Sequence, residues 1–275
     1  MNVTVVVDDY CGTSKLLGEH GLSMYIETPR GSLLFDTGRG VALYPNTSAL
    51  EVPLGNLNGI VLSHGHFDHT WGLPEILRRE GNLPVWASPF FDRQRFARKG
   101  EELEIAGSLF SKDDLNFRPV NDRAEIIDAI WAITIPLSER NPDFVPVDPD
   151  LVIKENGELK ADLMEDDLSL VVRGINGYSV ILGCAHAGTV NILERAALLF
   201  NTREFYSVTG GMHFRSQGRG FLLRSAKELK DKFSVQHWRP CHCTGFSAAF
   251  ILGDQKKFSI KGIAWNAVIR LVIYP

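Results

Sequence analysis

The stretch LSHGHFDHTWG, residues 62–72, decides both the fold and the chemistry expected of this chain. It holds three of the chain's eight histidines and one aspartate within six residues. A short apolar run precedes it and a helix-like segment follows it, so the cluster lies where a strand ends. Histidines two apart on an extended loop point the same way, and an acid–histidine pair beyond them faces a second point nearby. The pattern is His64-x-His66-x-Asp68-His69.

Neutral imidazoles and a carboxylate in this pattern indicate a metal site, because they are ligands of zinc, iron and manganese. Two ligand sets so close together favour two adjacent divalent ions, which activate a water molecule and stabilise an oxyanion. The alternative is a polar loop with incidental histidines, which this spacing at a strand end disfavours. We expect one or two divalent ions and favour zinc over iron or manganese.

Three further histidines each follow an apolar, strand-like run in distant parts of the chain. Strand ends converge on one edge of a sheet, so separate segments can deliver their histidines to one place. A fourth, His237, lies inside such a run and is interpreted as structural. The three candidates for the metal site or its pocket are His186, His213 and His242.

Composition indicates a soluble globular protein and excludes several functional classes. The chain has 275 residues, 44% hydrophobic and 23% charged, with a formal net charge of −4, which argues against a nucleic-acid partner. It shows no secretory signal and no run of about 18 apolar residues that would span a membrane. Four cysteines in so long a chain do not make a disulfide scaffold, so we expect a cytoplasmic protein. We interpret them as small buried hydrophobes, with zinc ligation as the alternative.

Short β-branched runs and helical periodicities predict an α/β sandwich of mixed sheets in a single domain, residues 1–275. Residues 98–117 read as an irregular insertion that overhangs a site. The predicted strands are Val3–Val7, Leu22–Thr28, Ser32–Asp36, Leu168–Val172 and Ser179–Leu182. The predicted helices are 40–50, 73–79, 189–200, 219–232 and 246–253.

The histidine motif resembles the signature of the metallo-β-lactamase-fold superfamily. The strand end LFDTG, residues 34–38, and the lead-in IVLS, residues 60–63, are similar to that family as well. Other blocks resemble a subgroup that includes dihydropterin-6-methyl-aminobenzene-ribofuranosyl-phosphate synthases, and the resemblance covers residues 5–245. Those blocks are EHGLS at 19–23, GCAHAG at 183–188, GGMH at 210–213 and PCHCTG at 240–245.

The resemblance implies a four-layer αββα sandwich with metal ions at the edge where the loops meet. It implies that His64 and His66 hold one ion. The second ion would have Asp68, His69 and His242 as ligands. His186 would stand where most of the superfamily has a metal-bridging aspartate. Asp36 would accept a hydrogen bond from a ligand imidazole and fix its tautomer.

This sequence departs from the family pattern at three positions. The usual third histidine of the first ion is absent before Leu168, where acids stand instead. Asp167 is our choice among these acids as a substitute ligand or supporting group. His186 is an imidazole, which bridges two metals less readily than a carboxylate does. Trp71 replaces a residue that is usually glycine, which would narrow the entrance.

The remaining polar residues of the resembling blocks suggest pocket roles. Asp68 would orient the nucleophilic water, and His213 would be a substrate ligand or proton donor. Glu19 and His20 would form a substrate-facing pair, the alternative being a hydrogen-bonded hairpin histidine. Arg215 would bind a substrate phosphate, the alternative being a solvated helix face. The pair at 210–211 would shape an oxyanion or phosphate nest.

Three functions remain open from the sequence. The first is a metal-dependent hydrolase acting on a phosphate- or ester-bearing small molecule through a metal-activated water. The second is the transferase chemistry of the subgroup, which joins a pterin methyl carbon to an arylamine phosphate, with aromatic side chains stacking the pterin. The third is a non-catalytic metal-binding sensor. The sequence predicts a small-molecule partner and gives no oligomeric state.

Overall fold

A computed structural model describes residues 1–246, 248–249 and 268–270 of the chain. The strands, in chain order, are β1 (Asn2–Val7), β2 (Ser23–Thr28), β3 (Gly31–Phe35), β4 (Leu57–Val61), β5 (Pro84–Ala87), β6 (Arg95–Lys99), β7 (Glu102–Ile105), β8 (Asn116–Pro119), β9 (Arg123–Ile127), β10 (Ile130–Thr134), β11 (Leu151–Glu155), β12 (Glu158–Ala161), β13 (Leu168–Gly174), β14 (Gly177–Leu182), β15 (Glu204–Gly210), β16 (Ser234–Pro240) and β17 (Val268–Arg270).

The described helices alternate with the parallel strands of the chain. The α-helices are α1 (Leu43–Ala49), α2 (Phe67–Thr70), α3 (Leu73–Glu80), α4 (Thr189–Phe200) and α5 (Arg219–Lys232). Short 3₁₀ turns are found at Leu54–Asn56, Lys112–Asp114, Leu137–Glu139, Pro142–Phe144 and His242–Thr244. No described helix is long and apolar enough to span a lipid bilayer.

Two mixed sheets form the centre of the molecule. The first has seven strands in the order β17-β1-β2-β3-β4-β5-β8, antiparallel from β17 to β3 and parallel from β3 to β8. The second has six strands in the order β16-β15-β14-β13-β10-β9, and β14, β15 and β16 are parallel. The connections β3–β4, β4–β5, β14–β15 and β15–β16 each contain an α-helix, as is usual for the crossover of a parallel pair, whereas the β5–β8 connection contains β6 and β7.

The alternation of side chains along each strand builds the layers. Leu33 and Phe35 of β3 face the second sheet and pack with Leu170 of β13 in the core between the sheets. Leu34, between them, faces the opposite way and packs with Leu43 of α1. On the outer side of the second sheet, α4 and α5 cover a third apolar cluster. The predicted four-layer αββα sandwich of mixed sheets is therefore confirmed.

The predicted elements agree closely with the structure except at their ends. Helices 189–200 and 219–232 are found with these bounds, and helix 40–50 shortens to Leu43–Ala49. Strand 22–28 begins at Ser23, and strand 32–36 becomes Gly31–Phe35. Of the predicted helix 246–253, Phe246, Ala248 and Ala249 are described and helical, and the rest lies outside the described residues.

The segment 98–117 corrects one expectation, because it is not irregular. Strands β6 and β7 form a hairpin there and join β11 and β12 in a third, four-stranded antiparallel sheet, and β8 extends the first sheet. Polar and charged residues along this segment hid the strands, since the side chains of β7 are exposed. The segment does border the histidine motif, because the Phe67 amide donates to the Ala106 carbonyl.

Candidate metal centre

The loop that carries His64 and His66 leaves the end of β4 and leads directly into α2. Gly65 separates the two histidines, and any side chain there would collide with the carbonyl oxygen of Phe91. The Gly65 amide donates to Oδ2 of Asp166 at 2.7 Å, and this hydrogen bond holds the loop in place. The glycine is therefore required by close packing, and the spacing of the two histidines follows from it.

The first ligand group consists of His64, His66 and His186, which are all buried. Their ligand atoms lie within 4.8 Å of one another, and His64 Nε2 is 3.0 Å from His66 Nδ1. The Nε2 atoms of His66 and His186 are buried without a hydrogen-bond partner among the described residues. Because buried polar atoms are normally satisfied, these orphaned lone pairs fit a metal ion.

Burial keeps the three imidazoles of this group neutral. It lowers the pKa of His66 to about 3, and the pKa values of His64 and His186 also fall well below the ordinary value. Neighbouring imidazoles add to the effect for His64 and His186, since two positive rings so close would repel. A neutral imidazole is the form that binds a metal.

The second ligand group consists of Asp68, His69 and His242. His69 Nε2 is 3.2 Å from His242 Nε2, and Asp68 Oδ2 is 3.4 Å from His242 Nε2 and 3.6 Å from His69 Nε2. Burial would raise the pKa of Asp68, but the neighbouring His69 and His242 outweigh it and hold that pKa below its usual range. The group thus offers an ionised carboxylate with two imidazoles.

Asp36 orients the second group from behind. Its Oδ2 accepts from the His69 Nδ1–H at 2.7 Å and from the Ser63 hydroxyl at 2.6 Å, and its Oδ1 accepts from the Ser63 amide. The bond places the proton of His69 on Nδ1 and leaves Nε2 as the ligand atom. This is the position that the sequence resemblance implies for Asp36.

Asp9 holds the other histidine of this group and was not anticipated from the sequence. Its Oδ1 lies 2.6 Å from His242 Nδ1, and its Oδ2 lies 3.1 Å from His20 Nδ1 and 2.6 Å from Arg215 Nη2. Arg215 also donates to the carbonyl of His242 at 2.7 Å. The guanidinium expected to bind a substrate phosphate is therefore occupied in positioning His242.

Glu19 and His20, expected as a substrate-facing pair, have different positions in the structure. His20 is half-exposed and lies over the second group, with Nε2 3.5 Å from Asp68 Oδ2. The carboxylate of Glu19 turns away and accepts the four successive amides of residues 39–42. Glu19 therefore shapes the loop after LFDTG, and only His20 faces the site.

His213 lies beside the first group, as expected of a pocket histidine. Its ring centroid is 4.2 Å from that of His186, and both ring nitrogens are buried without a hydrogen-bond partner among the described residues. Gly210 and Gly211 were expected to shape an anion nest, but their contacts indicate a packing role. A side chain at Gly210 would collide with Leu182, and one at Gly211 with Cys243, so the glycines serve the packing of strand ends.

The acids before β13 brace the ligand loops instead of joining the ligands. Asp167 Oδ2 accepts from the Ala187 amide at 2.6 Å, and Asp166 holds Gly65 and the buried Arg95. His186 completes the first group in the place left by the missing third histidine. Asp167, expected there as a substitute ligand, is in none of the groups of possible ligand atoms among the described residues. Asp167 retains the supporting position that was the other expectation.

Backbone strain concentrates at the site. Four non-glycine residues there have positive φ: Asp36 at 59°, Ala185 at 56°, His213 at 53° and His242 at 47°. This conformation is costly for residues with a Cβ atom and persists only where surrounding contacts enforce it. The strain turns the chain sharply at the strand ends and presents the ligands to one point.

An aromatic rim with one positive charge borders the second group, since the Phe67 ring centroid lies 6.1 Å from that of His20. The Phe67 and Trp71 rings lie 5.3 Å apart, and the Arg39 guanidinium carbon is 5.5 Å and 5.9 Å from their centroids. Trp71 is fixed by donating from Nε1 to the Gly107 carbonyl at 3.0 Å. Within the described residues, no carboxylate pairs with Arg39, so its charge is available.

Comparison with known proteins places the chain in a family. The profile of the metallo-beta-lactamase superfamily matches residues 17–165, more than half of the 275 residues. The fold agrees with the match, since residues 17–165 include the histidine motif and its strand. The chain therefore belongs to the metallo-beta-lactamase superfamily.

Two relatives match over nearly the whole chain. The 7,8-dihydropterin-6-methyl-4-(beta-D-ribofuranosyl)-aminobenzene-5'-phosphate synthase of Methanocaldococcus jannaschii is 28% identical and covers 98% of this chain and 96% of its own. A crystal structure of Tm1679, described as a metal-dependent hydrolase of the beta-lactamase superfamily, is 27% identical, with a TM-score of 0.84 and 99% coverage of both chains. Zinc-bound PqqB of Methylobacterium extorquens, at 10% identity and a TM-score of 0.52, shares the fold.

Proposed function

We propose that this protein is a dinuclear metal-dependent hydrolase of a phosphate- or ester-bearing small molecule. The observation that carries the proposal is the pair of adjacent ligand groups, one with three neutral imidazoles and one with an ionised carboxylate and two imidazoles. Divalent ions held by these residues would lower the pKa of a water molecule towards about 7 and polarise a substrate oxygen. We favour zinc for both positions, as nitrogen ligands prevail.

Two side chains of this chain are suited to the proton transfers of hydrolysis. Asp68 is buried in the second group, and its carboxylate would orient the attacking water. His213 lies beside His186, with Nε2 3.9 Å from Asp148 Oδ2 and no hydrogen-bond partner among the described residues, so it can donate a proton to the leaving oxygen. Neighbouring Cys243 and Asp148 outweigh burial and raise the pKa of His213, which favours the protonated form.

The aromatic rim and its arginine favour a substrate that is flat and anionic. The guanidinium of Arg39, which pairs with no carboxylate in the described part of the chain, would attract a phosphate or carboxylate, and the faces of Phe67 and Trp71 would accept a ring. Loss of Arg39 is therefore expected to raise KM for anionic substrates more than it lowers kcat.

A second candidate is the transferase reaction named for the methanogen relative, and the near-complete coverage of that relative favours it. A bond would form between the 6-methyl carbon of a dihydropterin and an arylamine nitrogen. The leaving group on that carbon would depart with the bonding electrons, and the amine would lose a proton. His20, at the outer side of the second group, is placed to accept that proton.

The test is a substrate panel with the zinc-loaded protein. Phosphomonoesters, phosphodiesters and carboxylic esters are incubated in parallel with a dihydropterin activated at its 6-methyl carbon plus a ribofuranosylaminobenzene phosphate. Hydrolysis of a phosphate or ester that is lost in His64→Ala, and retained in His237→Ala, supports the hydrolase. His237 is a suitable control because it lies on β16 outside both ligand groups.

Other outcomes decide among the alternatives. Formation of the coupled pterin product without hydrolysis of the panel would replace the hydrolase by the transferase. A protein that binds two ions and turns over nothing would replace both by a metal-binding sensor. Arg39→Met is compared with Arg30→Met, a distant exposed arginine paired with Asp128. An unchanged KM in Arg39→Met would remove the rim from the proposal.

A further inference from the structure

We propose that the thiolate of Cys184 is a metal ligand shared between the two groups, and that sulfur at this place selects zinc-like ions over manganese. The inference rests on the proposed metal centre and assigns its bridging atom. His186, which stands where most of the superfamily has a bridging aspartate, belongs to the first group and is not grouped with a ligand of the second.

The position of the sulfur is the first argument. Cys184 Sγ is 3.2 Å from His69 Nε2, and the ligand atoms of Cys184, His64 and His69 all lie within 4.8 Å of one another. His64 belongs to the first group and His69 to the second. Two atoms bound to one tetrahedral zinc ion lie roughly 3.5 Å apart, given bond lengths of about 2.0–2.3 Å. One sulfur therefore reaches ligands of both ions.

The local backbone explains why the sulfur faces the site. Cys184 follows the end of β14, two residues before His186, and the positive φ of Ala185 turns the chain between them. Gly183 allows the approach, because a side chain there would collide with Ser63. The side chain of Cys184 is buried, with 3% of the residue exposed, so the sulfur has no contact with bulk solvent.

The other two buried cysteines have different surroundings. Cys241 packs in the apolar core between the two sheets, which is the role expected of the three buried cysteines. Cys243 Sγ accepts from the His213 amide at 3.3 Å and lies 3.6 Å from the Cys184 carbonyl oxygen. Within the described residues, Cys184 alone among the cysteines is grouped with His64 and His69.

The chemistry of a thiolate agrees with this position. A carboxylate bridge brings one negative charge and hard oxygen atoms, whereas a thiolate brings the same charge on a soft atom. Soft sulfur ligands favour zinc and iron, and oxygen ligands favour manganese and magnesium. With Asp68, the thiolate supplies two negative charges for two divalent ions in a buried pocket.

Cobalt(II) substitution tests the assignment by spectroscopy, independently of turnover. Cobalt bound to a thiolate absorbs intensely in the near ultraviolet, and cobalt bound to nitrogen and oxygen alone does not. We expect this band in the wild-type protein, its loss in Cys184→Ser and Cys184→Asp, and its retention in Cys241→Ser and Cys243→Ser. Cys184→Asp is expected to keep two ions and to raise the manganese-to-zinc uptake ratio at least about tenfold.

X-ray absorption of the zinc-loaded wild-type protein tests the assignment without variants, and so does not depend on whether a variant folds. We expect one sulfur scatterer at about 2.3 Å from zinc. Two bound ions without a sulfur scatterer, or a cobalt band that persists in Cys184→Ser, would overturn the assignment and leave the proposed function intact. A folded wild-type protein that binds neither zinc nor cobalt would overturn both.

Discussion

The two halves of the candidate centre are built on opposite principles. The group of His64, His66 and His186 is uncharged, and two of its nitrogen atoms have no partner among the described residues. The group of Asp68, His69 and His242 is already paired with carboxylates, Asp36 behind His69 and Asp9 behind His242. The first half is completed only by a ligand from outside, whereas the second is held in place by hydrogen bonds within the chain.

This difference predicts that mutations in the two halves change metal binding and stability in different ways. The neutral half contributes buried polar atoms that cost stability until they are satisfied. The charged half carries its own stabilising network, so loss of one member leaves another buried charge unpaired. Four experiments test this contrast, from the largest expected effect to the smallest.

Removal of one histidine from each half is expected to have the largest effect. His186→Ala should reduce bound zinc from two ions to one and lower turnover at least about 100-fold, since the protein loses a metal that activates water. His242→Ala should also remove one ion, and it should in addition destabilise the metal-free protein by about 1–3 kcal/mol, because Asp9 loses its buried partner. Elemental analysis and denaturant unfolding measure both. Equal unfolding free energies for the two metal-free variants would contradict the contrast.

Asp36→Asn should weaken the charged half while leaving the neutral half intact. Asparagine tolerates the positive φ of this position, so the backbone is expected to persist. Loss of the carboxylate behind His69 should lower the affinity of one zinc ion about 10- to 100-fold. Competitive titration with a chelator separates the two binding steps. A loss at both steps would show that the halves are not independent.

Asp167→Asn should alter the pH dependence of stability on the side of the neutral half. Burial raises the pKa of Asp167 to about 7 from the model-peptide value of 3.8, so the folded state holds a proton that the unfolded state releases. Stability from this group is present at low pH and is lost as pH rises from about 4 through 7. The loss is at most about 4 kcal/mol, given about 1.4 kcal/mol per pKa unit.

In the metal-free wild-type protein, urea unfolding between pH 5 and pH 8 should show this loss, and Asp167→Asn should reduce it. The amide oxygen of asparagine still accepts from Ala187, so the loop that carries His186 should remain in place. Parallel pH profiles for the two proteins would remove Asp167 as the titrating group.

Arg215→Gln is expected to have the smallest effect. The arginine pairs with Asp9 but is 40% exposed, so solvent screens the pair, and its contribution should not exceed about 1 kcal/mol. Affinity for the second zinc ion should therefore fall no more than about fivefold. Arg219→Gln, at the start of α5, is the matched control. A fall of a hundredfold would mean that Arg215 also contacts an ion or its ligand directly.

The sequence predicts the layers of this fold well because each strand and helix carries its own periodicity. The His64–His69 motif predicts the metal centre equally well, since one short loop supplies ligands to both groups. Asp9 was missed although it follows a strand end, because an acid there has many roles. For the same reason zinc ligation by the cysteines was only the alternative expectation. The role of Asp167 depended on which way one carboxylate turns, and spacing along the chain does not determine that direction.

The most direct test of the central claim is anomalous diffraction from zinc-loaded crystals, measured above and below the zinc absorption edge. The account predicts two zinc peaks in each chain, one bound by His64, His66 and His186 and the other by Asp68, His69 and His242. A single peak, or a pair of peaks that lack these ligands, would contradict it.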